Sequence, residues 1–121
     1  MAAAILAEGI TVIRNAAKEP EIIEEQNFYN RLGARIRGAG TDTIRIEGVS
    51  SLRRIPIDYT VIPDRIEAGT YLLAGAITGG DITITDLIPE HLEALMAKLR
   101  EAGADVTDRS ATADDRRSFF G

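Results

Sequence analysis

Tyr59-Thr-Val-Ile-Pro-Asp-Arg-Ile-Glu-Ala-Gly-Thr70 divides this 121-residue sequence into two passes of one pattern. Residues 59–62 read as a β-branched strand ended by Pro63. A small-residue helix follows over about 65–78, stopped by Gly79-Gly80. Asp64 stands where its carboxylate can cap that helix, a structural role that needs no ligand, and Arg65 and Glu67 can pair on the helix surface. Strand-end loops are also where layered α/β folds bind ligands, so both readings of this cluster stay open.

Upstream, residues 2–8 read as the end of a helix closed by Gly9, and Thr11-Val-Ile-Arg14 as a short strand. Pro20 suits the first turn of a helix over 20–32, with Glu19, Glu21, Glu24 and Glu25 near its positive end and Gly33 as its stop. Ala34-Arg-Ile-Arg37 and Thr43-Ile-Arg-Ile-Glu47, joined by a glycine-rich turn, form a hairpin with Ile44 and Ile46 on one side and Arg45 and Glu47 on the other. Downstream, Asp81-Ile-Thr-Ile-Thr85 is a strand. Pro89 opens a helix over 90–101 with Leu92, Leu95, Met96 and Leu99 at helical spacing, and Ala104-Asp-Val106 starts another strand.

The passes correspond. Leu6-Ala-Glu-Gly9, Thr11-Val-Ile13, Pro20-Glu21 and Leu32-Gly-Ala34 answer to Ile77-Thr-Gly-Gly80, Thr83-Ile-Thr85, Pro89-Glu90 and Ala102-Gly-Ala104, at offsets of about 70 residues. The expected fold is α/β: tandem β-α-β-α-β-β units, with helices packed on one face of small mixed sheets. Residues 1–62 form the first unit, without its opening strand, and 63–107 the second, without its closing one. That frame is expected of a chain cut between units of a longer one. Residues 108–121 show no alternation and read as an irregular tail in which Phe119-Phe120 could dock on an apolar surface.

Composition narrows the chemistry. Apolar residues make up 45% of the chain, yet with only three Phe and three Tyr the core must be aliphatic. Nineteen acids against fourteen bases leave a net charge of −5, which argues against a nucleic-acid partner, since affinity for phosphate backbones comes from cations. Arg35, Arg37, Arg45, Arg53 and Arg54 are expected on a solvated face. The absence of cysteine excludes a disulfide framework and thiolate chemistry, and a single His excludes a histidine-rich metal site. His91 reads as a polar residue at a helix start, Gly38-x-Gly40 as a hairpin turn with no helix after it, and Glu24 and Glu25 as helix surface. No signal peptide or membrane-spanning run is recognisable, so the expected location is the cytoplasm, with no membrane contact.

Asn15-Ala-Ala-Lys-Glu-Pro-Glu21, Leu32-Gly-Ala34, Gly38-Ala-Gly-Thr-Asp-Thr-Ile-Arg-Ile-Glu-Gly48, Pro63-Asp-Arg-Ile-Glu-Ala-Gly-Thr70, Pro89-Glu-His-Leu-Glu-Ala-Leu95 and Leu99-Arg-Glu-Ala-Gly-Ala-Asp105 together resemble the UDP-N-acetylglucosamine 1-carboxyvinyltransferases, a family of enolpyruvyl transferases. The resemblance covers residues 2 to about 106; Ser50-Ser-Leu-Arg-Arg-Ile-Pro-Ile57 and the tail depart from it. It implies two domains of three such units each, and transfer of enolpyruvyl from phosphoenolpyruvate to the 3′-hydroxyl of UDP-N-acetylglucosamine, in peptidoglycan synthesis. By the same resemblance the chain crosses between domains near Pro63-Asp64, which turns Glu19, Glu21, Asp64 and Arg65 toward the substrate cleft. The family's Lys-Asn pair, its mobile Cys or Asp loop and its later Asp and Arg residues have no counterpart here. No catalytic residue is therefore assigned, no cofactor or metal is expected, and the chain is expected to be inactive alone.

Two alternatives accompany this reading: a module that binds UDP-sugar or phosphate weakly near Asp64 and Arg65, and an RNA-associated α/β module. Apolar helix faces left uncovered in such a segment predict a homo-oligomer.

Overall fold

A computed structural model of the chain describes residues 1–54 and 56–109 together with the backbone of 118–120. By its contacts the chain divides into two units, Met1–Val61 and Ile62–Gly121. Both are small mixed assemblies of helices and a sheet.

In the first unit a single 3-10 turn, Ala2–Ala4, replaces the helix end expected over 2–8. The main chain explains the early stop: the Ile5 carbonyl accepts the Val49 N–H at 2.8 Å, and the Ile5 side chain turns into the core, 1% exposed. Strand β1 (Ile10–Arg14), helix α1 (Pro20–Arg31) and the hairpin β2 (Arg35–Arg37) and β3 (Thr43–Glu47) follow. The antiparallel sheet has the order β1-β3-β2, which sets Ile46 opposite both Thr11 and Ile36 and Ile44 opposite Ile13. Side chains alternate across a sheet, so Ile36, Ile44 and Ile46 enter the core while Arg35, Arg37, Arg45 and Glu47 face water. Arg35 and Glu47 meet across that wet face at 2.6 Å, an exposed pair of small energetic weight.

Helix α1 is closed by a left-handed Gly33, φ +99°, with Ala34 N–H returning to Tyr29 O at 3.0 Å. Asn30, the penultimate residue of the helix, then grips the next strand at both main-chain groups. Its amide donates to Ile36 O and its carbonyl accepts from Ile36 N, each at 2.9 Å.

Residues 59–62, expected as a strand, form none. The Tyr59 ring packs edge-on against Phe28 instead of presenting its backbone to a neighbouring strand. Partial burial, then the hydrogen bond and charge of Glu24, raise the Tyr59 phenol above its usual 10, with Arg31 acting in the opposite sense. A raised pKa means that the folded chain favours the neutral phenol. Its contribution to stability is complete below the unfolded value and is lost as pH rises through the folded one. Phenolate absorbance of the native chain should therefore show a tyrosine transition above the ordinary range that disappears in Tyr59→Phe.

The second unit begins with α2 (Arg65–Thr78), then β4 (Thr83–Thr85), a 3-10 turn at Pro89–His91, α3 (Glu93–Glu101), β5 (Thr107–Asp108) and β6 (Ser118–Phe120). The helix expected over 90–101 is thus two pieces, broken at Leu92, whose φ of −114° leaves the helical range. Small residues let α2 pack closely: a Cβ at Gly69 would meet Leu95 Cδ2 at 2.9 Å, and one at Gly75 would meet Ile82 Cδ1 at 2.7 Å. Ala68, Leu72, Leu87, Leu92, Met96, Leu99 and Val106 make the core.

Its sheet has the order β4-β6-β5. The sequence reading of 108–121 as an irregular tail fails at 118–120, where the backbone runs antiparallel between β4 and β5. Residues 110–117 lie outside the described residues. Three strand residues carry no periodic signal of their own; they are ordered by two short strands that would otherwise leave their inner edges unpaired. No helix among the described residues is long and apolar enough to cross a membrane.

Candidate functional site

Asp64 sits at the start of α2 with an extended backbone, ψ 103°, and its Oδ1 accepts from Ile66 N at 2.8 Å and Glu67 N at 3.1 Å. These are two of the donors that the first turn of any helix leaves unpaired. Asp64→Ala should cost about 1 kcal/mol of stability in the second unit, read as a lower denaturant midpoint. Asp64→Asn, which keeps an acceptor, should recover most of it.

Around this cap lies an open hollow of about 330 Å³ lined by the polar side chains of Asp64, Glu67, Tyr71, Thr85 and Asp86 together with apolar Pro63, Ala68, Ile84 and Leu87. Asp86 reaches it from a left-handed conformation, φ +55°, directly after β4. Aspartate tolerates that region better than most residues because its short side chain bonds locally, and Thr85 Oγ1 stands 3.4 Å from Asp86 Oδ2. The sequence reading singled out Asp64 and missed Tyr71, Thr85 and Asp86. The turn chemistry of an Asp following a strand was the available signal.

Of the four residues expected at a cleft, Asp64 and Arg65 are adjacent at the start of α2 in the second unit. Glu19 and Glu21 belong to the start of α1 in the first. Glu19 is the residue before Pro20 and makes no side-chain cap; its carbonyl accepts the Ile22 N–H at 3.0 Å. No single unit holds all four. Glu24, read from sequence as plain helix surface, has its Oε1 buried without a hydrogen-bond partner among the described residues.

Chemically, the hollow presents three carboxylates, a phenol and a hydroxyl. That set suits positioning through hydrogen-bond acceptors and repels a phosphate, which calls for cations. No group of three His, Cys, Asp or Glu side chains among the described residues is arranged to hold a metal ion.

A family model described as EPSP synthase (3-phosphoshikimate 1-carboxyvinyltransferase) matches residues 1–118, so the likeness runs past residue 106 to Ser118, the first residue of β6. UDP-N-acetylglucosamine 1-carboxyvinyltransferase 1 of Symbiobacterium thermophilum is 60% identical over 108 residues, 89% of this chain and 24% of that protein. The corresponding protein of Solibacter usitatus is 57% identical over 112 residues, 93% of this chain and 26% of its own length. UDP-N-acetylglucosamine 1-carboxyvinyltransferase 2 of Bacillus anthracis is 55% identical over 120 residues, 97% of this chain and 28% of its own. The chain spans about a quarter of the length of these relatives.

Proposed function

The chain belongs to the EPSP synthase family, and from that membership we propose that it acts as one segment of a UDP-N-acetylglucosamine 1-carboxyvinyltransferase. Such an enzyme moves enolpyruvyl from phosphoenolpyruvate to UDP-N-acetylglucosamine, a cytoplasmic step of peptidoglycan synthesis. The observation that carries this reading is identity of 55–60% over nearly nine-tenths or more of the chain with proteins of that name.

In this reading the segment is inert alone. Enolpyruvyl transfer needs cations on the phosphate and carboxylate of phosphoenolpyruvate and an acid and a base at the reacting carbon, whereas the hollow beside α2 is lined by Asp64, Glu67 and Asp86. Glu19, Glu21, Asp64 and Arg65 are proposed as cleft residues that orient substrate and do not take part in bond making.

We read residues 1–62 and 63 onward as two copies of one β-α-β-α-β-β unit. The matching sheet orders β1-β3-β2 and β4-β6-β5 support this. So do left-handed Asn15 and Asp86 after the first strand of each sheet, and left-handed Gly33 and Gly103 after the helix. Arg100, seventy positions after Asn30, likewise bonds the chain six residues on: its Nε donates to Val106 O at 2.8 Å, as the Asn30 amide donates to Ile36 O.

Self-association through α2 belongs to the same proposal. Ile66, Leu73 and Ile77 lie on its exposed side, Ile77 at 87%, and an uncovered apolar stripe favours a partner. A monomeric mass at high protein concentration would count against it.

The functional test is a chimera in which this chain replaces the matching stretch of the Symbiobacterium thermophilum relative. Phosphate release from phosphoenolpyruvate that depends on UDP-N-acetylglucosamine is expected of the chimera and not of the chain alone. A folded chimera without turnover would overturn the reading.

A further inference from the structure

The described residues of 50–61, which lead from the first unit to the second, have no regular secondary structure. Their far end is nevertheless fastened to α1. The Tyr59 ring stands edge-on to Phe28, centroids 5.3 Å apart at 77°. The Arg31 guanidinium carbon lies 5.7 Å from the Tyr59 centroid, and Arg31 Nη1 donates to Asp58 O at 2.8 Å. The Tyr59 hydroxyl reaches the main-chain oxygen of Glu24 at 3.4 Å, a long contact. Glu24, Phe28 and Arg31 are spaced four and three residues apart, which places them along one stripe of the helix. Tyr59 lies along that stripe.

We propose that Tyr59 is a latch that holds this connector on α1 and so sets how much free chain separates the two units. With the latch closed, the chain between Tyr59 and the cap residue Asp64 is Thr60 to Pro63, four residues. With the ring contacts and the Arg31 bond to Asp58 O both released, the next main-chain hydrogen bond back among the described residues is the Arg53 N–H on Leu32 O, 2.8 Å, and the tether lengthens to at most the ten residues from Arg54 to Pro63. At about 3.5 Å per extended residue the reach rises from about 14 to about 35 Å. The helix at the end of that tether carries Asp64 and Arg65 in its first turn, so the latch governs how freely those side chains move with respect to the first unit.

Two features suit the contact to opening and closing. Tyr59 is half-buried and stands outside the cluster of Ile5, Ala34, Ile36, Ile44 and Ile46, so releasing it leaves the sheet intact. The orphaned Glu24 Oε1 also gains water if the segment lifts, and rehydrating an unpaired buried acceptor favours the open form. Ring contacts, the hydrogen bond of the Tyr59 hydroxyl to Glu24 and the Arg31 bond favour the closed one. Such opposition keeps both forms within reach of a modest perturbation.

The sequence has no native cysteine, so spin labels can be placed at will on the full chain through Ala17→Cys and Ala97→Cys, one in each unit. Pulsed-dipolar distance distributions should broaden about twofold in Tyr59→Ala and Arg31→Ala and stay as in the parent for Tyr59→Phe, which keeps the ring. Amide exchange should rise at residues 56–61 in Tyr59→Ala while β1 to β3 keep their protection. A Tyr59→Ala distribution as narrow as the parent's would overturn the latch. So would a loss of protection shared by the connector and the sheet, which would make Tyr59 a part of the core.

Discussion

Ile46→Ala is expected to lower the stability of the first unit by about 2–5 kcal/mol. Ile46 is 0% exposed and sits on β3, the middle strand of its sheet, where its backbone pairs with Thr11 on one side and Ile36 on the other. Its side chain is enclosed by Ile5, Ala34, Ile36 and Ile44. These are small or β-branched groups whose stiff rotamers cannot swing into a vacated volume. The cavity should persist, and the cost should fall toward the upper half of the range, because loss grows with the volume left empty. Val12→Ala on the neighbouring β1, 46% exposed, is the control and should change stability by no more than about 0.5 kcal/mol. Urea unfolding followed by circular dichroism, with exchange of the β3 amides to localise the effect, makes the comparison. Similar values for the two variants would remove Ile46 from the centre of the core.

The same residues explain what was legible in the sequence. Ile44 and Ile46 alternate with Arg45 and Glu47 after a glycine turn, a local pattern of period two, and the structure keeps it residue for residue. Helices α1 and α2 were announced by Pro20 and Asp64 at their starts and by Gly33 and Gly79 at their ends, and each boundary falls within two residues of its signal. Residues 59–62 misled because β-propensity describes a fit to a sheet surface rather than a backbone preference. With no strand alongside, Tyr59 found Phe28 and Arg31, thirty-one and twenty-eight positions away. Strand β6 failed for the complementary reason: its pairing with β4 and β5 is long-range, and nothing local marks it. At the candidate site the split is similar. The Asp64 cap is a two-residue affair and readable, while Tyr71 and Asp86 come to it only through the packing of α2 against the end of β4.

Gly48→Ala should be at least as damaging as the Ile46 truncation, by the opposite mechanism. Gly48 follows β3 and runs beneath the segment that leads into β1: its N–H donates to Gly9 O at 2.9 Å, and the next residue, Val49, donates to Ile5 O at 2.8 Å. A Cβ at position 48 would fall on the Ala7 carbonyl oxygen. The obstacle is main chain, so no rotamer change relieves it. Either residues 5–9 lift away or the end of β3 does, and both routes break the bonds that seat Ile5 in the core. Overpacking of this kind costs about 3 kcal/mol when the surroundings cannot yield, and the lost pairing of buried main-chain groups adds to it. Gly9→Ala separates this steric effect from backbone strain. A Cβ at Gly9 meets nothing within 4 Å, but its φ of +83° is unfavourable for any side chain, a penalty of about 1–2 kcal/mol. The expected order of unfolding midpoints is therefore parent, Gly9→Ala, Gly48→Ala, with Ile5 and Val49 amide protection collapsing in the last alone. Equal midpoints for the two glycine variants would mean that residues 5–9 do not cross over Gly48, and the register that places Ile5 in the core would have to be abandoned.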